Sequence, residues 1–329
     1  MAKDVNPPRG MRDFLPVEKL QREQVLARIR STYRLHGFQE VETPALEDLA
    51  KLTSGQGGDN EKLAYRVLKR GAELDEALAT GDPGELADIG LRFDLTVPLT
   101  RYYATNRSQL PPVFKAIQTG PVWRAERPQK GRYRQFVQCD IDIIGDSSPL
   151  AEIDLLVSSL DALDALGLQD AVVRVNHRAL LNSSLESMGV KPEDQPLAMI
   201  IVDKLDKLGA DGVVAEMAER LGQQAADNLA VWLKSINGEL DVPQELAGIF
   251  DAVGSRFKDR LRYDPTLVRG MGYYTGPIFE IEHPGSGSSI GGGGRYDGMV
   301  GRWLGTDVPA VGISLGFERV VDLVDAAKF

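Results

Sequence analysis

The stretch Gly120–Gly145 reads GPVWRAERPQKGRYRQFVQCDIDIIG, and its second half alternates with a period of two. Arg134, Phe136, Gln138, Asp140 and Asp142 fall on one face. Gln135, Val137, Cys139, Ile141 and Ile143 fall on the other, which is mostly apolar. That alternation predicts a strand buried on one side and wet on the other. Val122, Trp123 and Arg124 read as the preceding strand. Between them, Pro128 fixes φ and Gly131 is free to take a positive φ, so the segment from Arg127 to Arg132 reads as a turn. The expectation is a hairpin with a long basic tip, its strands carrying Arg124, Glu126, Gln138 and Asp142. Taken alone, the same residues also fit a hairpin that merely ends in a solvated charged loop.

Outward from the hairpin, the chain sets broad bounds. Its 329 residues allow two domains or one large one with ample core, and 43% apolar with 26% charged residues is ordinary for a globular protein. No apolar run is long enough to span a bilayer, and the first residues lack a signal-peptide core. A single cysteine, Cys139, excludes an internal disulfide framework and suits the cytoplasm. The formal net charge of −10 disfavours broad phosphate binding, so any RNA contact must be local, as at the basic tip. There is no GK[ST] loop, Gly291–Gly294 does not spell a dinucleotide fingerprint, and His36, His177 and His283 have no metal-ligand spacing.

Taken in order, a helix is expected over about Val17–Leu35, closed by Gly37, followed by a strand from Phe38 into Pro44. Leu91–Pro98 reads as a strand end, with Asp94 and Thr96 two apart on one face and a helix starting at Leu99. An acid and a hydroxyl so placed can receive an ammonium, or Thr96 can simply cap the helix. Leu150–Leu166 reads as a helix and Ala171–Asn176 as a strand, with His177 structural. Residues 181–257 read as helices only, including one stripe from Leu197 through Leu208 that Gly209 stops. Strand character returns over Leu267–Ile281, where a regular strand would send Tyr273 and Tyr274 to opposite faces. Gly285–Gly294 reads as a flexible bridge. Pro309–Arg319 then reads as a buried strand, a small-residue turn and a helix with Arg319 in its first turn. A cation there opposes the helix dipole, which points to a bound anion or a stacking role beside the plain alternative of a surface charge.

Several of these stretches resemble one family, in order and over most of the chain. ERPQKGRYRQF resembles motif 2 of the class II aminoacyl-tRNA synthetases, most closely the histidyl-tRNA synthetase form. The helix–strand–proline unit ending at Pro44 resembles motif 1, LRFDLTVPLTR the segment that holds the amino group, RGMGYYTG the histidyl signature, and Pro309–Arg319 motif 3. Two departures are visible: many members carry Asp at Gly272, and many bacterial members carry His at Val137. The resemblance implies an α+β class II fold, an antiparallel β-sheet flanked by helices with a helical insertion. Catalytic parts would be residues 1–180 and 258–329, with the insertion at 181–257.

The resemblance also implies a reaction: L-histidine and ATP give histidyl-adenylate, and histidine then passes to the acceptor end of tRNA(His). It gives Arg124 and Arg269 catalytic roles at the phosphates. Histidine would be held by Asp94, Thr96, Arg124, Gln138, Asp142, Arg269, Tyr273 and Tyr274. ATP would be held by Arg124, Glu126, Arg132, Phe136 and Arg319, with Mg2+ on the phosphates and no metal bound by the protein itself. A homodimer built on motif 1 is implied as well. Full-length members continue past motif 3 into an anticodon-binding domain, whereas this sequence stops at Phe329, so a catalytic unit without that domain is expected. The rival reading is the histidine-binding regulatory subunit of ATP phosphoribosyltransferase, a paralogue that tends to lose the catalytic arginines; a third is a relative that only dimerises or binds RNA.

Overall fold

The computed structural model describes residues 5–53, 63–128, 131–236, 238, 240–269 and 272–325. Gln129 and Lys130 of the basic tip, and Gly270 and Met271 ahead of the tyrosine pair, lie outside them. The chain opens with α1 (Pro16–Leu35), β1 (Gln39–Val41), β2 (Leu46–Asp48), α2 (Leu49–Thr53), β3 (Tyr65–Leu68), α3 (Ala72–Thr80), β4 (Ala87–Leu91) and α4 (Thr96–Asn106). The hairpin strands β5 (Phe114–Trp123) and β6 (Gln135–Ile144) follow, then α5 (Leu150–Ala165) and β7 (Val172–His177). Four helices come next, α6 (Arg178–Ser187), α7 (Gln195–Val202), α8 (Leu205–Leu221) and α9 (Gln223–Ser235), and then α10 (Gln244–Gly254). The chain closes with β8 (Leu261–Tyr263), β9 (Pro277–Glu282), β10 (Gly291–Arg295), α11 (Gly298–Leu304), β11 (Ala310–Gly316) and α12 (Phe317–Leu323).

Eight strands form one sheet in the order β1-β5-β6-β11-β10-β9-β7-β8. Its centre is antiparallel, and only the two outer pairs, β1 with β5 and β7 with β8, run parallel. The period-two reading of β6 holds. Cys139, Ile141 and Ile143 join Val173, Ile281 and Ile313 in an apolar layer beneath the sheet, where α1, α5, α10 and α12 pack. In α1, Val25, Leu26, Ile29 and Tyr33 form one buried stripe, each worth about 1.5–3 kcal/mol of burial. Pro16 opens that helix, and Gly37, at φ 82°, turns the chain out of it into β1.

The polar face of β6 departs from expectation: it is not wet. Gln138, Asp140 and Asp142 are all buried, because a second layer covers them. That cover includes the small sheet β2-β4-β3 with α2, α4 and α11. Beyond it, α6 to α9 wrap around Leu185, Ile201, Met217 and Leu229. The expected single stripe from Leu197 to Leu208 is two helices. The chain turns at Asp203 and Lys204, Gly209 then kinks α8 at φ 68°, and Ile200 and Leu208 face outward. Helix α10 instead returns to the sheet, against α5, β7 and β8.

One buried ion cluster ties the N-terminus to motif 3. Glu318, in the first turn of α12, accepts from Arg22 of α1 at 2.7 and 2.8 Å, from Arg12, and from the Val137 backbone N–H at 3.1 Å. Arg12 also lies over the Tyr133 ring, and the Arg134 N–H donates to the Gly10 carbonyl. The N-terminal segment therefore lies against the base of the basic tip.

Candidate functional site

The site is built on a floor of sheet from which side chains are missing. In register with Asp142 stand Gly312 on β11 and Ala116 on β5; in register with Gln138 stand Gly316 and Gly120. The space is already taken: a Cβ on Gly312 would lie 1.9 Å from Asp142 Oδ1, and one on Gly292 would lie 2.7 Å from the Arg269 guanidinium. One on Gly294 would lie 2.8 Å from the Tyr274 ring. The run Gly291–Gly294 is thus not a flexible bridge but a central strand, β10, paired on both edges. Its glycines let functional side chains from neighbouring segments lie flat on the backbone.

Above the floor, the start of α4 is laid against β5. Gln118 Nε2 donates to the Leu95 carbonyl at 3.0 Å, and Arg124 Nε donates to the Phe93 carbonyl at 3.0 Å. The helix begins at Thr96 rather than Leu99, and β4 ends at Leu91, so Asp94 and Thr96 do not sit on a strand. Asp94 caps the helix, its Oδ1 accepting from the Val97 N–H at 3.3 Å. Among the described residues its buried Oδ2 finds no hydrogen-bond partner, nor do Gln138 Oε1 and Arg269 Nε. Such orphans normally have partners, so they mark where a polar ligand fits.

Tyr273 and Tyr274 correct a second expectation. They precede β9 instead of lying within it, and their rings sit together at 4.7 Å rather than on opposite faces. Tyr273 lies within hydrogen-bonding reach of Thr96, and Tyr274 of Arg269. Tyr296 was not anticipated. Its hydroxyl donates to Asp142 Oδ1 at 2.5 Å, and its ring lies edge-on to Tyr273 at 6.1 Å. It follows β10, whose last residue, Arg295, is clamped by Glu152 of α5 at 2.6 and 2.7 Å. Arg92 was missed too. It fills the space over Gly120 and donates to the carbonyls of Thr43 and Pro121, joining the motif 1 proline segment to the hairpin. A lone arginine inside the apolar string LRFDLTVP was the available signal.

Three carboxyls lie in this cluster. Burial pushes Asp142 up to about 7 and Asp94 up to about 6. Asp140 is raised well above the usual range by burial and by Asp142 beside it. A cationic ligand would be the natural counter-charge.

In front of the carboxyl cluster opens a cleft of about 330 Å³. Arg124, Glu126, Arg132, Phe136 and Arg319, the residues read as ATP-binding, all line it, as do Gln138 and Arg269. Arg124 itself lies just past the end of β5, its guanidinium 5.0 Å from the Phe136 ring centre. Arg124, Arg269 and Arg319 also line a larger cleft of about 1100 Å³ that reaches Asp203 and Lys207 of the helical layer. Asp94, Thr96, Asp142, Tyr273 and Tyr274 line neither cleft; Asp94 lies near Arg124, and Tyr274 near Arg269. Arg124, Arg269 and the carboxyl cluster are therefore adjacent.

The sequence pattern described as histidyl-tRNA synthetase matches residues 10–320. The chain belongs to this family. A histidine–tRNA ligase from Leifsonia xyli is 55% identical over 99% of this chain and 81% of its own length. One from Aeropyrum pernix is 40% identical, over 96% of this chain and 73% of its own. Among solved structures, the histidyl-tRNA synthetase of Nostoc sp. PCC 7120 is similar with a TM-score of 0.79 at 29% identity, over 97% of this chain and 75% of that one. A Bacillus halodurans protein described as an ATP phosphoribosyltransferase regulatory subunit/histidyl-tRNA synthetase shares the fold, with a TM-score of 0.78 at 20% identity over 99% of this chain and 84% of that one. Family membership accounts for the class II sheet and for the motif 2 and motif 3 regions meeting Arg269 at one cleft.

Proposed function

We infer that the protein activates L-histidine with ATP and transfers it to tRNA(His). The observation that carries this reading is the adjacency of an arginine-lined cleft to a cluster of buried carboxyls with orphaned acceptors. In the first step a histidine carboxylate oxygen attacks the α-phosphorus of ATP. A new O–P bond forms, the bond to the bridging oxygen breaks, and pyrophosphate leaves. In the second, a hydroxyl of the terminal ribose attacks the activated carbonyl and AMP departs.

Two anions must approach, so fixed guanidiniums matter most. We assign Arg124 to the α-phosphate and the amino-acid carboxylate, and Arg269 to the transferring phosphoryl group. Arg319 stacks on adenine or reaches the terminal phosphate, Glu126 and Phe136 seat adenine, and Arg132 meets the polyphosphate. Asp94, Thr96 and Gln138 receive the α-ammonium. Asp142 and Tyr274 address opposite edges of the imidazole, with Tyr273 beside them. A ring lacking those nitrogens would leave buried groups unpaired, which rejects other amino acids strongly. No side chain serves as a covalent nucleophile, so positioning and electrostatics carry the rate. Among the described residues no three His, Cys, Asp or Glu cluster as metal ligands. Magnesium is assigned to the phosphates of ATP, where it would neutralise charge.

The insertion is taken as residues 181–257, of which α7 and α8 reach the larger cleft while α10 packs back on the sheet. Motif 1, at the edge strand β1 and on α1, is taken as a homodimer contact. Among the described residues no helix is long and apolar enough to cross a membrane, and the reading places the protein in the cytoplasm. Exchange of labelled pyrophosphate into ATP is the test. Exchange that depends on histidine is expected; none above a control without histidine would overturn activation.

A further inference from the structure

Arg269 precedes the tyrosine pair and lies outside β9, so no strand pairing of its own sets its direction. Something else must aim its guanidinium. Strand register sets Glu280 of β9 opposite Arg174 of β7 on one side and opposite Gly292 of β10 on the other. The Glu280 carboxylate is divided between two guanidiniums. Oε1 accepts from Arg174 Nη1 at 3.1 Å, and Oε2 accepts from Arg269 Nη1 at 3.0 Å.

Arg174 is itself immobilised. Its side chain is 8% exposed, and it donates to Asp264 at 2.6 Å, to Glu282 at 3.0 Å and to Asp206 of α8 at 3.3 Å. Gly292 completes the seat, since a Cβ there would occupy the space of the Arg269 guanidinium. Two strands, an anchored cation and a glycine notch converge on one rotatable side chain.

We propose that Glu280, anchored by Arg174, is a positioning residue that holds the Arg269 guanidinium in place for adenylate formation. This rests on the assignment of Arg269 to the phosphoryl group. A carboxylate bridging two guanidiniums fixes direction as well as charge, and a small misplacement of a catalytic group is costly.

The test is a double-variant cycle on single-turnover formation of histidyl-adenylate by the full chain, with histidine and Mg-ATP. Arg269→Ala alone tests the assignment; parental rate there would overturn it and this proposal together. Given a loss in Arg269→Ala, Glu280→Gln should slow the step about tenfold to a hundredfold. The half-saturating histidine and ATP concentrations should move less than about threefold. In the Arg269→Ala background Glu280→Gln should do nothing further. An unchanged rate for Glu280→Gln, or a loss of the same size in both backgrounds, would overturn the proposal while leaving the role of Arg269 intact. If Glu280→Gln shows no folding transition, Gly292→Ala takes its place, crowding the same guanidinium from the other side. The same non-additivity is expected, and an additive loss overturns the proposal.

Discussion

Asp142 shows how much one buried carboxyl can report. Its partner Tyr296 fills one oxygen, and burial holds its pKa near 7 rather than at 3.8. A carboxyl raised on folding binds its proton more tightly in the native state, so the stability it gives is present at low pH and lost as pH rises from 3.8 through about 7. Unfolding of the histidine-free protein, compared with Asp142→Asn across that range, should show a stability difference that moves against the parent as pH increases. A pH-independent difference would refute the assignment. The same variant should bind histidine about tenfold to a hundredfold more weakly by calorimetry, from the loss of one charge-assisted hydrogen bond. Tyr296 escaped the sequence reading because nothing in its local pattern separates a buried polar anchor from a surface one, whereas Arg92 was marked only by the apolar string around it.

Elements were legible where side chains repeat. The hairpin strand β6, the helix α1 and the motif 3 strand and helix carry periodic apolar residues, and the structure places them as read. Strand β10 has almost no side chains, so neither alternation nor β propensity marks it, and only its neighbours define it. Helix α4 starts early because Asp94, not Thr96, satisfies its first turn. Two predictions follow from the contacts between elements. Gly312→Ala should cost about 1–3 kcal/mol or more by denaturant unfolding, and should abolish histidine binding, because the new methyl meets Asp142. Glu318→Ala should cost about 3–5 kcal/mol, since Arg22 would be left buried without its partner; a loss within experimental error would show that the cluster is not structural.

At the scale of the molecule, one face of the sheet packs on α1, α5, α10 and α12, and the other carries the buried carboxyls and the arginine-lined cleft. The motif 1 edge is where the homodimer proposal can be tested. Leu15, Val17 and Leu20 at the start of α1 are 74%, 83% and 59% exposed, next to the face that packs on α5 and α12. Sedimentation should return about twice the 36.0 kDa chain mass, and Leu20→Glu should shift the protein toward one copy. A single-chain mass at all concentrations would remove the dimer.

The glycine floor limits redesign in one direction. A pocket walled by bulky residues can be enlarged by trimming one of them, but beneath Asp142, Arg269 and Tyr274 there is only main chain at Gly312, Gly292 and Gly294. Admitting an amino acid larger than histidine would require moving a strand or sacrificing the polar groups proposed above to read the ring.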